Sequence, residues 1–219
     1  MCNYKVQRFV FNLIEENTYI IWDEATREAA IIDCGAWNEA ETMELQDFIE
    51  DNDLHPVLSL LTHAHFDHIF GLQFLYNIYG LRPRMYPAEH ANYDMAGRQT
   101  EIFLHKSISL ATPPAGPDLA EGERIQLGGL TLQVIPTPGH TAGGVCFYLE
   151  AEEPAQGLLF SGDTLFRQSV GRTDLPGGSA YDLTQSIVTR LFPLPAPTRV
   201  LPGHGEATTI GEERGMSTY

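Results

Sequence analysis

Residues 4–13 and 18–22 are rich in β-branched and aromatic side chains, and the polar stretch 23–27 separates them from a third apolar run at 29–33. That order predicts a β-meander at the start of the chain. Over 38–50 the period changes. Ala40, Met43, Phe48 and Ile49 recur among Glu39, Glu41, Glu44, Asp47 and Glu50, the spacing of a helix with one apolar face and one solvated acidic face. Residues 57–61 form a short continuous apolar run ending at Thr62, which predicts a buried strand, and 69–79 reads as a buried helix after it. Residues 88–106 suit a helix and the Pro- and Gly-rich stretch 112–117 a loop. Strands are expected again at 124–127, 130–135, 144–149 and 157–161, with Gly128-Gly129 as the hairpin signal between the first two. A helix over 181–191 and a short strand over 198–201 follow, and the chain ends soon after Thr208. Strands followed by helices in both halves, with no repeat and no linker, predict one α/β domain over residues 1–219, with sheets inside and helices outside.

A chain of 219 residues fits a single core, and 43% hydrophobic with 19% charged residues is a globular composition. Thirteen Lys+Arg against 29 Asp+Glu give a net charge of −16, whose field repels polyanions. Nucleic acid and anionic membrane surfaces are therefore disfavoured partners. Three cysteines, Cys2, Cys34 and Cys146, without a CxxC pair argue against a disulfide framework or a thiolate zinc site and suit a reducing compartment. Cys146 reads as a small buried hydrophobe and Cys34 as a loop residue outside any ligand set. No run approaches the roughly 20 apolar residues of a membrane span, and residues 1–8 lack the basic-then-apolar order of a secretory signal. The expected location is cytoplasmic.

The candidate chemistry sits in four short segments: Thr62-His63-Ala64-His65-Phe66-Asp67-His68, Thr137-Pro138-Gly139-His140-Thr141, Ser161-Gly162-Asp163-Thr164 and Leu201-Pro202-Gly203-His204-Gly205. Each follows an expected strand, so each can present its side chain at one rim of a sheet. His63 and His65, two apart at a strand end, point to the same side, whereas Asp67 and His68 lie around the next turn and face a second point. One peptide can thus serve two metal ions. Seven N and O ligands divide into three imidazoles for one ion, Asp67, His68 and His204 for the other, and Asp163 as the shared carboxylate, because a carboxylate has two oxygens and an imidazole one free lone pair.

With these residues the sequence resembles the metallo-β-lactamase-fold hydrolases, and within them the glyoxalase II-like (hydroxyacylglutathione hydrolase-like) branch. The resemblance rests on His63, His65, Asp67, His68, His140, Asp163 and His204, with residues 166–178, and extends from Asn17-Thr18-Tyr19 to residues 208–212. It implies an αββα four-layer sandwich with two mixed β-sheets inside. It also implies a dinuclear site with His63, His65 and His140 on one ion, Asp67, His68 and His204 on the other, and Asp163 bridging. Glyoxalase II proper extends further at its C-terminus with helices that help to bind glutathione, whereas this chain stops at Tyr219. The expectation is a thioesterase without strict glutathione dependence.

Two divalent cations, zinc first with iron or manganese as alternatives, would lower the pKa of a shared water and polarise a small-molecule thioester's carbonyl. Asp67 is placed to orient the attacking water as well as to bind metal, and Asp163 to bridge. Arg172, in Gly171-Arg172-Thr173-Asp174, is the candidate for a substrate carboxylate or for a pair with Asp174. His90, His105 and Tyr148 read as core or surface residues. Two alternatives stand beside the hydrolase: a persulfide dioxygenase-like enzyme with one iron, whose branch the chain also resembles, and a catalytically silent metal-binding module.

Overall fold

Side chains that alternate along β2 (Glu16–Asp23) and β3 (Glu28–Ile32) are buried on both faces, which is why these strands read as unbroken apolar runs. Ile20, Trp22, Ala29 and Ile31 point one way and Tyr19, Ile21, Ala30 and Ile32 the other, so the sheet that holds them has a core on each side. The computed structural model describes residues 3–105, 108, 110–151, 153 and 157–216; Cys2, Lys106 and Tyr219 lie outside them.

The first sheet has the order β1 (Tyr4–Phe11), β2, β3, β4 (His55–Leu60) and β5 (Pro83–Arg84). Its first three strands pair antiparallel, and β3, β4 and β5 pair parallel through crossovers containing α1 (Glu39–Asp51) and α2 (Leu72–Tyr79). The second sheet is built from β6 (Arg124–Leu127), β7 (Leu130–Pro136), β8 (Val145–Leu149), β9 (Leu158–Gly162), β12 (Arg199–Pro202) and β13 (Thr208–Thr209). Only β9 and β12 pair parallel in it. A small hairpin, β10 (Leu165–Phe166) with β11 (Ser169–Val170), stands beside the site. Between the two sheets Tyr19, Ile21 and Leu60 meet Phe147, Phe160 and Leu201. Leu45, Ile49, Leu72 and Leu75 cover the outer face of the first sheet, and Leu183, Ile187 and Leu191 cover the second. These cores separate four layers, the αββα sandwich that the resemblance implied. No helix among the described residues is long and apolar enough to cross a membrane.

The helices differ from the sequence expectation in several places. The apolar face of α1 is Leu45 and Ile49 with Phe48 at its margin, whereas Met43 is 54% exposed. The helix expected at 69–79 starts at Leu72, because Gly71 approaches Cys34 too closely for any side chain and its amide donates to the Cys34 carbonyl at 2.8 Å. The segment expected as one helix over 88–106 is two, α3 (His90–Asp94) and α4 (Ala96–Leu104), broken at Met95. The helix expected over 181–191 is α5 (Ala180–Ser186) followed by a wider π-type turn, Ile187–Leu191, and a last helix, α6 (Ile210–Gly215), follows β13. Cys34 and Cys146 are both buried and free, His90 pairs with Asp118 at 2.6 Å, and Tyr148 lies in the core under α5.

Candidate metal centre

The C-terminal ends of β4, β7, β9 and β12 open on one edge of the sandwich, and each is followed by one of the four polar segments. The close fit of these loops depends on glycine. At Gly203 a Cβ would lie 2.7 Å from the His68 ring and collide with Asp163 Oδ1, so only glycine lets the His204 turn pass over that carboxylate.

His63, His65 and His140 form a triangle with ring centroids 4.6–4.8 Å apart. Asp67, His68 and His204 form a second group, with Asp67 Oδ2 at 3.4 Å from His68 Nε2 and 3.2 Å from His204 Nε2. Asp163 stands between them: its Oδ1 is 3.5 Å from His68 Nε2, and its Oδ2 is 3.6 Å from His140 Nε2 and 3.7 Å from His204 Nε2. All seven residues singled out in the sequence therefore meet at one point of the fold.

Four of the five imidazoles are turned by a bond at Nδ1. His68 Nδ1 donates to Asp33 Oδ2 at 3.0 Å, His140 Nδ1 to the Arg172 carbonyl at 2.8 Å and His204 Nδ1 to the Ile14 carbonyl at 3.2 Å. The Thr62 hydroxyl donates to Asp33 Oδ2 at 2.6 Å and so accepts from His63 Nδ1 at 3.1 Å. In the neutral form of each ring this bond leaves the lone pair on an inward-facing Nε2, the outer-shell arrangement that fixes histidines which bind a metal. His63 Nε2, His68 Nε2 and Asp163 Oδ1 are buried with no hydrogen-bond partner, and His140 Nε2 lies 2.9 Å from His65 Nδ1. Buried lone pairs without donors are costly unless a cation takes them, so this donor set fits divalent metal ions. Asp33, His63 and His68 also lie close enough to form a ligand group, but the imidazole nitrogens on that side are already committed to Asp33 and Thr62. Asp33 is an orienting residue.

Burial holds His63 well below the usual imidazole pKa, and burial with the neighbouring His140 brings His65 to about 4. At His68 burial opposes the charge, but Asp67, Asp163 and Asp33 outweigh it and raise the pKa. The Asp163 carboxyl is held well below its usual range, its burial overcome by His68, His63 and His204.

The family model of the metallo-beta-lactamase superfamily matches residues 13–204. The chain belongs to this superfamily. It is 34% identical to the hydroxyacylglutathione hydrolase GloC of Haemophilus influenzae over 94% of this chain and 92% of that one. Among solved structures it is similar to the B3 metallo-beta-lactamase BLEG-1 (34% identity, TM-score 0.85, covering 96% and 97% of the two chains). It is similar also to TTHA1623, solved in a di-iron-bound form (36% identity, TM-score 0.80, covering 97% and 98%).

In this superfamily member the broken helix segment is tied to the first histidine pair. Glu89, fully buried, accepts from the Ala64 amide at 2.9 Å and from the Gly143 amide at 2.9 Å. Gln99 donates to the Ala64 carbonyl at 3.0 Å and accepts from the Phe66 amide at 3.0 Å. Glu89 and Gln99 thus reach the backbone of Ala64 and Phe66 from either side of the break at Met95. Glu89→Ala would orphan two buried amides, at about 1–3 kcal/mol each. Metal retention at the His63, His65 and His140 group is expected to weaken by about 10–100-fold, the usual effect of losing an outer-shell contact. Retention at the Asp67, His68 and His204 group stays, and chelator competition titrations separate the two.

Glu16 lies under His68, fully buried, with Oε1 3.8 Å from His68 Nδ1 and Oε2 accepting from Thr18 at 2.8 Å. Burial raises its pKa well above the usual range, His68 offsetting part of the effect. Asp33, Glu16, Glu89 and Gln99 were not identified from the sequence. Asp33 alone carried a signal, a carboxylate closing the apolar run Ile31-Ile32.

The centre opens into a cavity of about 500 Å³. Arg172 lines it, but its guanidinium is held in a two-pronged pair with Asp174, both contacts 2.8 Å, so of its two expected partners the chain supplies one itself. Phe66 stacks on Phe103 with centroids 5.8 Å apart, forming a wall of this cavity.

Proposed function

We propose that this superfamily hydrolase is a dinuclear enzyme of the glyoxalase II type that cleaves thioesters. The observation that carries the reading is the pair of three-residue ligand groups with the Asp163 carboxylate between them. His63, His65 and His140 would hold one divalent ion, Asp67, His68 and His204 the other, and Asp163 both. Zinc suits the N and O donors, as do iron and manganese. The similarity to GloC supports the choice of thioester.

When bound, two divalent cations lower the pKa of water towards neutrality and polarise the scissile carbonyl. Asp67, anchored to His204 and His68, orients the attacking water, and Asp33 keeps His68 in the ligating tautomer through Nδ1. Water adds to the carbonyl carbon and the C–S bond breaks. The acid leaves as a carboxylate with release of one proton, and the thiol leaves protonated. Hydrolysis of S-lactoylglutathione by the metal-loaded protein tests the reading, with a β-lactam as the second arm because of the similarity to BLEG-1. Faster β-lactam than thioester turnover would replace it. Oxygen uptake with glutathione persulfide and a single bound iron would replace it with the dioxygenase alternative.

Metal removal has a thermodynamic consequence. An ion at 100 times its Kd stabilises the fold by about 2.7 kcal/mol, which in a chain of this size corresponds to about 5–10 °C in Tm. Chelator-treated protein is expected to melt lower by at least that amount in differential scanning calorimetry, and to recover with two equivalents of metal.

A further inference from the structure

The cavity over the metal centre has an apolar wall beside each ligand group. On the side of the first group Phe103 meets the His65 ring at 6.4 Å and stacks on Phe66, with Leu104 beside it. Against the second group Phe166 meets the His204 ring at 6.3 Å, with Ile14, 38% exposed, completing that wall. Val170 and Leu175 line the part near Arg172. Apart from the candidate ligands, Arg172 is the one polar residue among the described residues lining the cavity, and its Nε and Nη2 bond to Asp174.

We propose that both arms of the substrate's thioester are apolar or uncharged: an aliphatic acyl group of medium length on a small neutral thiol. The inference rests on the thioesterase reading above. A carbonyl placed between Asp67 and Asp163 sends one arm along the Phe66, Phe103 and Leu104 wall and the other along the Phe166 and Ile14 wall. No side chain of either wall offers a hydrogen bond to an acyl hydroxyl, and a site without a polar partner gains nothing from that group. Glutathione carries two carboxylates, and among the described residues lining the cavity the one cation, Arg172, is paired through Nε and Nη2 with Asp174. The net charge of −16 opposes an anionic thiol further. An apolar arm gains affinity by burial, about three- to fourfold per methylene.

The test crosses two acyl groups with two thiols: lactoyl and hexanoyl, each on glutathione and on N-acetylcysteamine, assayed for kcat/KM with the metal-loaded enzyme. Hexanoyl esters are expected to exceed lactoyl esters by more than tenfold on either thiol, and glutathione to improve kcat/KM by less than tenfold over N-acetylcysteamine. A hexanoyl preference of tenfold or less, or a glutathione preference of tenfold or more, overturns the proposal. Phe103→Ala should lower the hexanoyl-to-lactoyl ratio, and Phe166→Ala tests the opposite wall independently; ratios unchanged in both variants overturn the assignment of the walls.

Binding separates this proposal from the reaction itself. Calorimetry of the metal-loaded protein with the non-hydrolysable thioethers S-hexyl-N-acetylcysteamine and S-hexylglutathione is expected to show the neutral ligand bound at least as tightly. If no thioester is hydrolysed yet the neutral thioether binds so, the thioesterase reading falls and the apolar cavity stands. Tighter binding of S-hexylglutathione overturns the apolar cavity whatever the enzyme hydrolyses.

Discussion

Asp163→Ala is expected to abolish thioester hydrolysis, with a loss on the order of 10³-fold or more in kcat/KM, equivalent to about 4 kcal/mol. The side chain faces both ligand groups, through Oδ1 to His68 and Oδ2 to His140 and His204. Its removal leaves each ion one donor short and takes away the negative charge that screens the two cations from each other. Folding should survive, because Asp163 follows β9 at a loop start and belongs to none of the apolar clusters. Elemental analysis and thioesterase rates on one preparation, with far-ultraviolet circular dichroism as the folding control, check the prediction. Full activity in the folded variant would remove the bridging role.

His204→Ala addresses one ion only. His204 contacts Asp67 and Asp163, whereas the His63, His65 and His140 triangle does not depend on it. The variant is expected to retain one equivalent of metal and to lose about 10²- to 10³-fold in hydrolysis, since one of two cations that act on the same carbonyl is missing. A one-iron dioxygenase makes the opposite forecast for His204→Ala, with most turnover kept, and the same forecast of loss for Asp163→Ala. Near-wild-type hydrolysis by His204→Ala would refute the two-ion mechanism even if the parent chain binds two ions.

The strands and the seven clustered residues could be read from the sequence because their signals are local. Residues 130–135 alternate in burial along β7, and β2, β3 and β8 read as apolar runs because the sandwich buries both faces. His63, His65, Asp67 and His68 lie within six positions, and His140 and His204 each follow Pro-Gly after a strand. The supporting residues had no such spacing. Asp33 acts on Thr62 and His68, 29 and 35 positions away, and Glu89 joins loops 25 and 54 positions away. A single buried carboxylate looks like any surface one until the fold brings its partners to it. The same holds for the break at Met95: residues 88–106 have helical spacing, and the contacts of Glu89 and Gln99 with the Ala64 backbone, on either side of the break, are long-range. Met43 was misplaced because the spacing of Ala40 and Met43 also suits a face that the fold leaves open.

The central claim is that one chain holds two ions through seven side chains. Elemental analysis of the wild-type protein after reconstitution with excess zinc, manganese or iron and removal of free metal tests it directly. The account predicts two ions per chain. Saturation at one ion per chain with all three metals would contradict it.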